Sequence, residues 1–267
     1  MAQFGEFQDI TVDLDGHIAT VEMRRPPHNY FDMILIRSIA SAYEALDRET
    51  DCRAIVLAAE GKSFCAGAAL GGRAGVPAAA EEPPGHRDGR VNLYHEAVRI
   101  FACQTPVVAA VQGAAVGGGL GVAMAADFRV ASPDARFAAN FARLGFHHGF
   151  GLTVTLPDTI GQQAAARMLM TGRWVNADEA LKIGLCDELV PADQLRARAT
   201  ELAAEIAAAA PLAVRSIRRT LRHGLADRIQ VATDKESVEQ DWLRKTDDYR
   251  EGIKASIERR DPVFQGH

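Results

Sequence analysis

Short apolar runs alternate with amphipathic segments over the first two thirds of the chain. Two strand-like runs, 10–14 and 17–23, are joined by Asp15-Gly16, a pair typical of tight hairpins. An amphipathic pattern then predicts a helix over 33–47, and a buried-type strand over 54–59 follows it. A strand, a helix and another strand in this order predict an α/β fold whose sheet is at least partly parallel.

Beyond residue 191 only helical periodicity is found, so we divide the chain into 1–191 and 192–267. The second part has more apolar positions than a solvated appendage needs, and we expect it to be an oligomerisation region that packs against other subunits. The remaining predicted features are helices over 91–103, 118–126, 152–160, 162–170 and 177–183, strands over 106–111, 127–131, 136–139 and 185–190, C-terminal helices over 193–209, 211–223 and 227–250 with a short last one, and N-caps at Asp32 and Asn176.

The stretch 71–90 follows neither pattern. It is rich in Gly, Pro and Ala with mixed charges, and it cannot bury enough apolar surface to order itself cheaply. We interpret it as a mobile flap.

Composition narrows the class of protein. The chain has 267 residues, 48% hydrophobic and 24% charged, which suits one soluble domain with a smaller appendage. No apolar segment predicts a membrane span and the N-terminus does not resemble a signal peptide, so we expect a cytoplasmic protein. The net charge of −5 argues against a nucleic-acid binder. The four cysteines lack CxxC spacing, which predicts buried thiols and neither a metal site nor a disulfide framework.

The first candidate functional site is the glycine run 117–119, where a predicted strand ends and a helix begins. Backbone N–H groups there are uncovered by side chains and lie at the positive end of the helix dipole, so the turn suits negative charge. One interpretation is a donor to a developing oxyanion, and the other is a turn that lets a helix pack closely on a strand.

Nucleotide motifs do not explain this run. A dinucleotide fingerprint would need glycine at Val122 or Met124, depending on its starting point. A phosphate loop ending at Gly61-Lys62-Ser63 would need glycine at Val56.

Several motifs in order resemble the crotonase superfamily, the enoyl-CoA hydratase/isomerase family. The likeness runs from the first hairpin to the C-terminus. The motifs are Arg25-Pro26 with Asn29, the loop 63–68, the stretch 106–127 with its three glycines, Thr171-Gly172, the segment 177–180 and Gly184-Leu185.

The resemblance implies a crotonase-type spiral of ββα units with a C-terminal all-helical region, assembled as a trimer or hexamer. It implies an acyl-CoA thioester substrate whose carbonyl sits between the backbone N–H groups of Ala68 and Gly118. Coenzyme A would be part of the substrate, with no permanently bound cofactor. The resemblance also places coenzyme A contacts on Arg24, Arg25, Lys62, Ala66, Leu70 and Phe264.

The chain departs from the family at both hydratase glutamates. Their positions are occupied by Gly121 and Phe141. Hydration needs one group to activate water and another to protonate carbon. The carboxylate pair that ordinarily does this is missing here.

Candidate replacements are His147 and His148, in the loop where some relatives carry a catalytic aspartate. Naphthoate synthases align that aspartate on His148. Histidine titrates near neutrality and can serve as acid or base. A structural role, with either ring bonded to backbone, is the alternative. Tyr94 is a further candidate for a substrate hydrogen bond, and Phe146 and Phe150 would make the acyl pocket apolar.

These observations predict an acyl-CoA-transforming enzyme that stabilises a thioester enolate in an oxyanion hole and uses non-standard acid and base groups. Hydration, isomerisation, C–C cleavage and decarboxylation remain open. The alternative is a CoA-thioester-binding protein with little turnover.

Overall fold

The fold is described from a computed structural model, which covers residue 4 and residues 7–69 and 93–267. Leu70 and the predicted flap at 71–90 lie outside the described residues. The described strands are Ile10–Asp15 (β1), Ile18–Met23 (β2), Ala54–Ala59 (β3), Val107–Val111 (β4), Ala114–Val116 (β5), Phe128–Ala131 (β6), Arg136–Ala138 (β7), Trp174–Asn176 (β8) and Glu188–Leu189 (β9).

The larger sheet is almost entirely parallel. Its strand order is β1-β2-β3-β4-β6-β9, and only the β1-β2 pair, closed at Asp15 opposite Ile18, is antiparallel. Strands β3 and β4 are buried at every position, which explains their continuous apolar sequences. The predicted hairpin and partly parallel sheet are confirmed.

A smaller sheet forms the second layer of the spiral. Its order is β5-β7-β8, with β5 parallel to β7 and β7 antiparallel to β8. Each of β4 and β6 in the larger sheet is followed along the chain by one strand of the smaller sheet, β5 or β7, and then by a helical turn. This arrangement of ββα units confirms the predicted fold class.

The described α-helices are Met33–Arg48 (α1), Leu93–Ala102 (α2), Gly118–Ala125 (α3), Leu152–Thr171 (α4), Ala177–Ile183 (α5), Leu195–Ala207 (α6), Pro211–Leu221 (α7), Leu225–Leu243 (α8) and Asp247–Glu258 (α9). Both predicted N-caps are confirmed, since Asp32 accepts from the Leu35 N–H and Asn176 from the Glu179 N–H. Helix α4 is broken at Gly161, whose φ of 76° is not helical. This break confirms the two separate helical segments predicted over 152–160 and 162–170.

Two predicted elements were wrong in extent. The last strand was expected over 185–190, but only β9 pairs with β6. The helix expected over 227–250 is two helices, because the Thr246 side chain accepts from the Tyr249 N–H and caps a new start. A Thr N-cap is readable in sequence, but the amphipathic pattern runs on through it.

The C-terminal helices pack largely on their own chain. Small residues along one face of α6, such as Ala199 and Ala203, lie against β3, β4 and β6. Helix α7 is anchored by Arg218 and Arg222, which bind opposite oxygens of Asp127 at 2.8 and 2.9 Å. Part of the apolar surface of this region is therefore used within the chain, and its packing against other subunits stays a prediction.

Some apolar side chains of that region still face solvent. Leu212 and Leu221 on α7 are 82% and 80% exposed, and Trp242 on α8 is 54% exposed. All four cysteines are buried and free, as predicted. No helix among the described residues is both long and apolar enough to span a bilayer.

Candidate functional site

The loop after β3 runs alongside β5. The Cys65 N–H donates to the Ala114 carbonyl at 3.0 Å, and the Val116 N–H donates to the Cys65 carbonyl at 3.0 Å. Beyond this parallel pairing, the loop continues to Ala68, and the segment of β5 continues to Gly118, the first residue of α3. Within the described ranges, neither the Ala68 nor the Gly118 N–H donates to an acceptor. Two uncommitted backbone donors therefore lie on adjoining segments, one at a helix N-terminus.

The glycines of this turn are also required by packing. A β-carbon on Gly118 would lie 2.2 Å from Cζ of Phe31, and one on Gly119 would lie 2.1 Å from the Cys65 carbonyl oxygen. Gly117 has a φ of 56°, which a side chain would strain. Close packing thus accounts for Gly118 and Gly119 and the positive φ for Gly117. Neither explains the two N–H groups that donate to no acceptor among the described residues.

Phenylalanines occupy the surroundings of both missing glutamates. A β-carbon on Gly121 would lie 2.5 Å from Cδ1 of Phe150. Phe141 is itself the residue at the second position, and its ring lies 3.5 Å from where a Gly117 β-carbon would be. The Phe31 ring stands 6.0 Å from the Phe150 ring and the Phe146 ring 5.3 Å from the Phe141 ring, by centroids. The region around the turn is therefore mainly apolar, although Oδ1 of Asn140 lies 3.6 Å from where a Gly117 β-carbon would be.

Phe150 packs the loop that carries His147 and His148, the histidine loop, against α3. Its φ of 63° lies in the left-handed region, where a bulky residue costs about 1–3 kcal/mol and persists only if the surroundings hold it. The ring is fully buried against Gly121, three residues or about 4.5 Å along the helix axis from Gly118. His147 and His148 directly precede this anchored segment.

The two histidine rings are stacked and bonded differently. Their centroids are 4.1 Å apart with planes inclined by 26°. Nδ1 of His147 lies 2.8 Å from the His148 carbonyl oxygen, so this nitrogen donates. Nε2 of His148 lies 2.8 Å from Oγ1 of Thr153. Burial, together with the neighbouring imidazole, lowers the pKa of His148 to about 4, so this ring is neutral at physiological pH.

A buried carboxylate, Glu236, completes this cluster and was missed in the sequence. It lies on α8, with Oε1 4.0 Å from Nε2 of His148 and 2.6 Å from Oγ1 of Thr153. One signal was available, because the buried polar residues Thr233, Glu236, Ser237 and Gln240 repeat at helical spacing. A buried stripe of this kind cannot be told from a solvated face by sequence alone.

Tyr94 supports the loop from α2. Its hydroxyl donates to Oε1 of Gln240 at 2.8 Å, and the Gln240 amide donates to the His147 carbonyl at 2.9 Å. Burial raises the pKa of Tyr94 well above its usual range. A β-carbon on Gly149 would lie 2.3 Å from the hydroxyl, so Tyr94 packs directly against the loop. The structure therefore gives Tyr94 a partner within the chain.

The predicted coenzyme A contacts fall into two groups. Arg25 lies between Asp9 at 2.5 Å and Asp32 at 2.9 Å, so its charge is already paired inside the chain. Arg24 is 48% exposed beside Glu60, and Lys62 is exposed.

The other predicted contacts differ in accessibility. The Ala66 N–H donates to the His28 carbonyl. Phe264 is 40% exposed near the C-terminus. Leu70 is outside the described residues.

Comparison with known proteins finds one family along the chain. The family model described as enoyl-CoA hydratase/isomerase matches residues 13–267. The (E)-benzylidenesuccinyl-CoA hydratase of Thauera aromatica is 33% identical over 259 residues, which cover 96% of this chain and 99% of that protein. The short-chain-enoyl-CoA hydratase of Clostridium acetobutylicum is 30% identical over 257 residues, covering 96% and 97%.

A solved structure agrees with this result. The crystal structure of an enoyl-CoA hydratase/isomerase from Pseudoalteromonas atlantica T6c superposes with a TM-score of 0.84 at 27% identity, covering 97% of this chain and all of that one. The similarity therefore extends to both the spiral and the C-terminal helices.

Proposed function

Because this chain belongs to the enoyl-CoA hydratase/isomerase family, we propose that it converts an acyl-CoA thioester by stabilising a thioester enolate between the N–H groups of Ala68 and Gly118. The observation that carries the proposal is the pair of uncommitted donors on adjoining segments. Such donors stabilise the charge that develops on the thioester oxygen, and losing one costs about 3–4 kcal/mol of transition-state stabilisation. Coenzyme A is then part of the substrate.

The proton chemistry is assigned to the histidine loop. Gly121 and Phe141 supply no ionisable group, and Phe150 fills the space beside Gly121. His148 is held neutral, so its imidazole can accept a proton from carbon or from water. In the first case the C–H electron pair moves into the enolate while the proton goes to the ring. His147 is the second candidate for this role.

The apolar surroundings suit an aromatic or branched acyl group. Phe31, Phe141 and Phe150 border the glycine turn, and aromatic side chains bury large apolar groups favourably. One relative is named for a benzylidenesuccinyl thioester and another for short-chain enoyl thioesters. Exposed Arg24 and Lys62 are the proposed partners of the coenzyme A phosphates, with Ala66, Leu70 and Phe264 as further contacts and Arg25 holding the loop.

A binding protein with little turnover is the second candidate. It is favoured by one observation, the absence of both glutamates beside an otherwise complete donor pair. This protein would bind thioesters with and without His148 equally well, whereas an enzyme would lose turnover.

The assembly is proposed to be a trimer or hexamer formed through residues 192–267. Its support is the set of exposed apolar side chains on α7 and α8, which an interface would remove from water.

The test is product analysis by mass spectrometry with a panel of enoyl-, aryl- and malonyl-type CoA thioesters. Wild type, His148→Ala and His147→Ala are compared, and His17→Ala in the exposed hairpin turn is the matched control. A product that persists in the control and is lost with His148→Ala supports the enzyme and its base. Binding of thioesters without any product supports the second candidate. Turnover unchanged in both loop variants removes the histidines from the mechanism.

A further inference from the structure

We propose that Thr153 and Glu236 hold His148 in one tautomer, with the proton on Nε2 and the lone pair on Nδ1. Nδ1 is then the basic atom of the site, and Thr153 and Glu236 are positioning residues. The basic role rests on the proposed function, whereas the tautomer does not.

The hydrogen bonds around Thr153 determine to which partner its hydroxyl donates. Its Oγ1 lies 2.6 Å from Oε1 of Glu236 and 2.8 Å from Nε2 of His148. A hydroxyl has one proton to donate, and a carboxylate only accepts. The hydroxyl therefore donates to Glu236, and its lone pair accepts from Nε2–H of His148. In a neutral ring this leaves Nδ1 unprotonated.

The tautomer requires Glu236 to accept at both oxygens, and three hydrogen bonds to those oxygens favour the ionised form. Oε2 accepts from the Gly151 N–H at 2.9 Å, and Oε1 accepts from the Thr153 N–H at 3.1 Å as well as from the hydroxyl. Burial raises the pKa of Glu236, and these three hydrogen bonds oppose the rise. The two N–H groups hold both oxygens as acceptors.

His147 takes the opposite tautomer. Its Nδ1 must donate, because the partner is the His148 carbonyl oxygen at 2.8 Å. That carbonyl and the Thr153 hydroxyl thus hold the two stacked rings with different nitrogens protonated. Burial and the neighbouring imidazole, whose centroid is 4.1 Å away, lower the pKa of His148, which keeps its lone pair unprotonated at neutral pH.

Helix α8 holds the His148 ring and the His147 backbone. Glu236 acts on His148 through Thr153, and Gln240, one turn later, donates to the His147 carbonyl at 2.9 Å. Among the described residues, the ionisable groups that reach the pair directly or through Gln240 are Glu236 from α8, Tyr94 from α2 and Arg244. Tyr94 and Arg244 both donate to Gln240, Arg244 at 3.0 Å. The C-terminal helices thus complete the site within one chain.

Nitrogen NMR of histidine-labelled full-length protein reads the tautomer directly. We expect Nε2 of His148 to be protonated and Nδ1 unprotonated in wild type, with assignment by His147→Gln. Thr153→Val removes the hydroxyl at constant shape and is expected to give a mixture of tautomers, while Thr153→Ser keeps the hydroxyl and the wild-type signal. Thr155→Val, which loses a hydroxyl bonded to the Gly151 carbonyl on the same helix, is the matched control.

Turnover gives the second readout. Thr153→Val is expected to lower kcat at least tenfold with KM nearly unchanged, and Thr153→Ser to restore it. A protonated Nδ1 in wild type, or a His148 tautomer that Thr153→Val leaves unchanged, overturns the proposal. The expected tautomers with unchanged kcat in Thr153→Val overturn the basic role alone. The expected tautomers in a protein that turns over no thioester support the positioning and count against the proposed function.

Discussion

The ring of Phe150 lies where a side chain at position 121 would have to be, since a β-carbon on Gly121 would sit 2.5 Å from Cδ1 of Phe150. The glutamate of ordinary hydratases is thus absent from the sequence and also excluded by packing. The Phe150 ring fills the space that a side chain at position 121 would need. The absence of a glutamate there and the position of the loop that carries His147 and His148 are therefore linked through Phe150.

This arrangement predicts a strong coupling between positions 121 and 150. Gly121→Ala is expected to destabilise the protein by about 1–3 kcal/mol, because its β-carbon overlaps the ring. In a Phe150→Ala background the same change is expected to be neutral or stabilising by up to about 1 kcal/mol, since alanine favours the helix. Urea unfolding of the four proteins measures the cycle, and additive effects would contradict the packing described.

The oxyanion donor is tested at Ala68, where proline removes the N–H. Ala68→Pro is expected to lower kcat about 10²–10³-fold, with thioester binding less affected. Ala68→Gly keeps the donor and is expected to retain most of the activity, which separates the loss of the N–H from any change of side chain. Thermal unfolding of both variants shows whether the fold is kept, and equal kcat values would remove Ala68 from the mechanism.

The low pKa of His148 predicts how stability depends on pH. Its pKa is about 4 in the folded protein and about 6.5 when unfolded, so the unfolded chain binds more protons between these values. The contribution is complete above pH 6.5 and is lost as pH falls toward 4, by about 2 kcal/mol at pH 5.

Wild type should therefore lose about 2 kcal/mol more than His148→Gln between pH 7.5 and 5, measured as free energy of unfolding. His17→Gln, in an exposed turn, is the control. Among the described residues, the titratable groups in contact with His148 are His147 and Glu236. Comparing the two proteins cancels the titrations that they share. Parallel curves for wild type and His148→Gln would rule out a depressed pKa.

Asp127 is expected to anchor helix α7. It accepts from Arg218 at 2.8 Å, Arg222 at 2.9 Å and the Val107 N–H at 2.8 Å, and both arginines are largely buried. Asp127→Ala should cost about 3–5 kcal/mol in urea unfolding, because it leaves buried guanidinium groups unpaired. Asp158→Ala breaks an exposed pair with Arg228 and should cost under about 1 kcal/mol. Similar losses in the two variants would contradict this assignment.

The proposed assembly is tested by native mass spectrometry. We expect a trimer or hexamer for wild type and smaller species for Leu221→Asp, whose side chain is 80% exposed on α7. Asp13→Lys, exposed on edge strand β1, is the control. A monomeric wild type would overturn the role proposed for residues 192–267.

Local features of the sequence determined much of the fold. The hairpin at Asp15-Gly16 and the caps at Asp32 and Asn176 are confirmed, because turns and caps depend on residues only a few positions apart. The motifs also identified the family. That Gly121 and Phe141 stand at the two glutamate positions stays a prediction from the resemblance.

The contacts between distant segments were decided by tertiary structure alone. Periodicity shows that a face is buried but not what covers it, so nothing in the sequence placed Phe150 over Gly121 or Glu236 beside His148. The stripe that carries Glu236 reads equally well as a solvated face, since charged side chains are seldom buried without partners. The sequence alone determined where backbone donors and candidate acids or bases stand along the chain, whereas folding decided which of them meet.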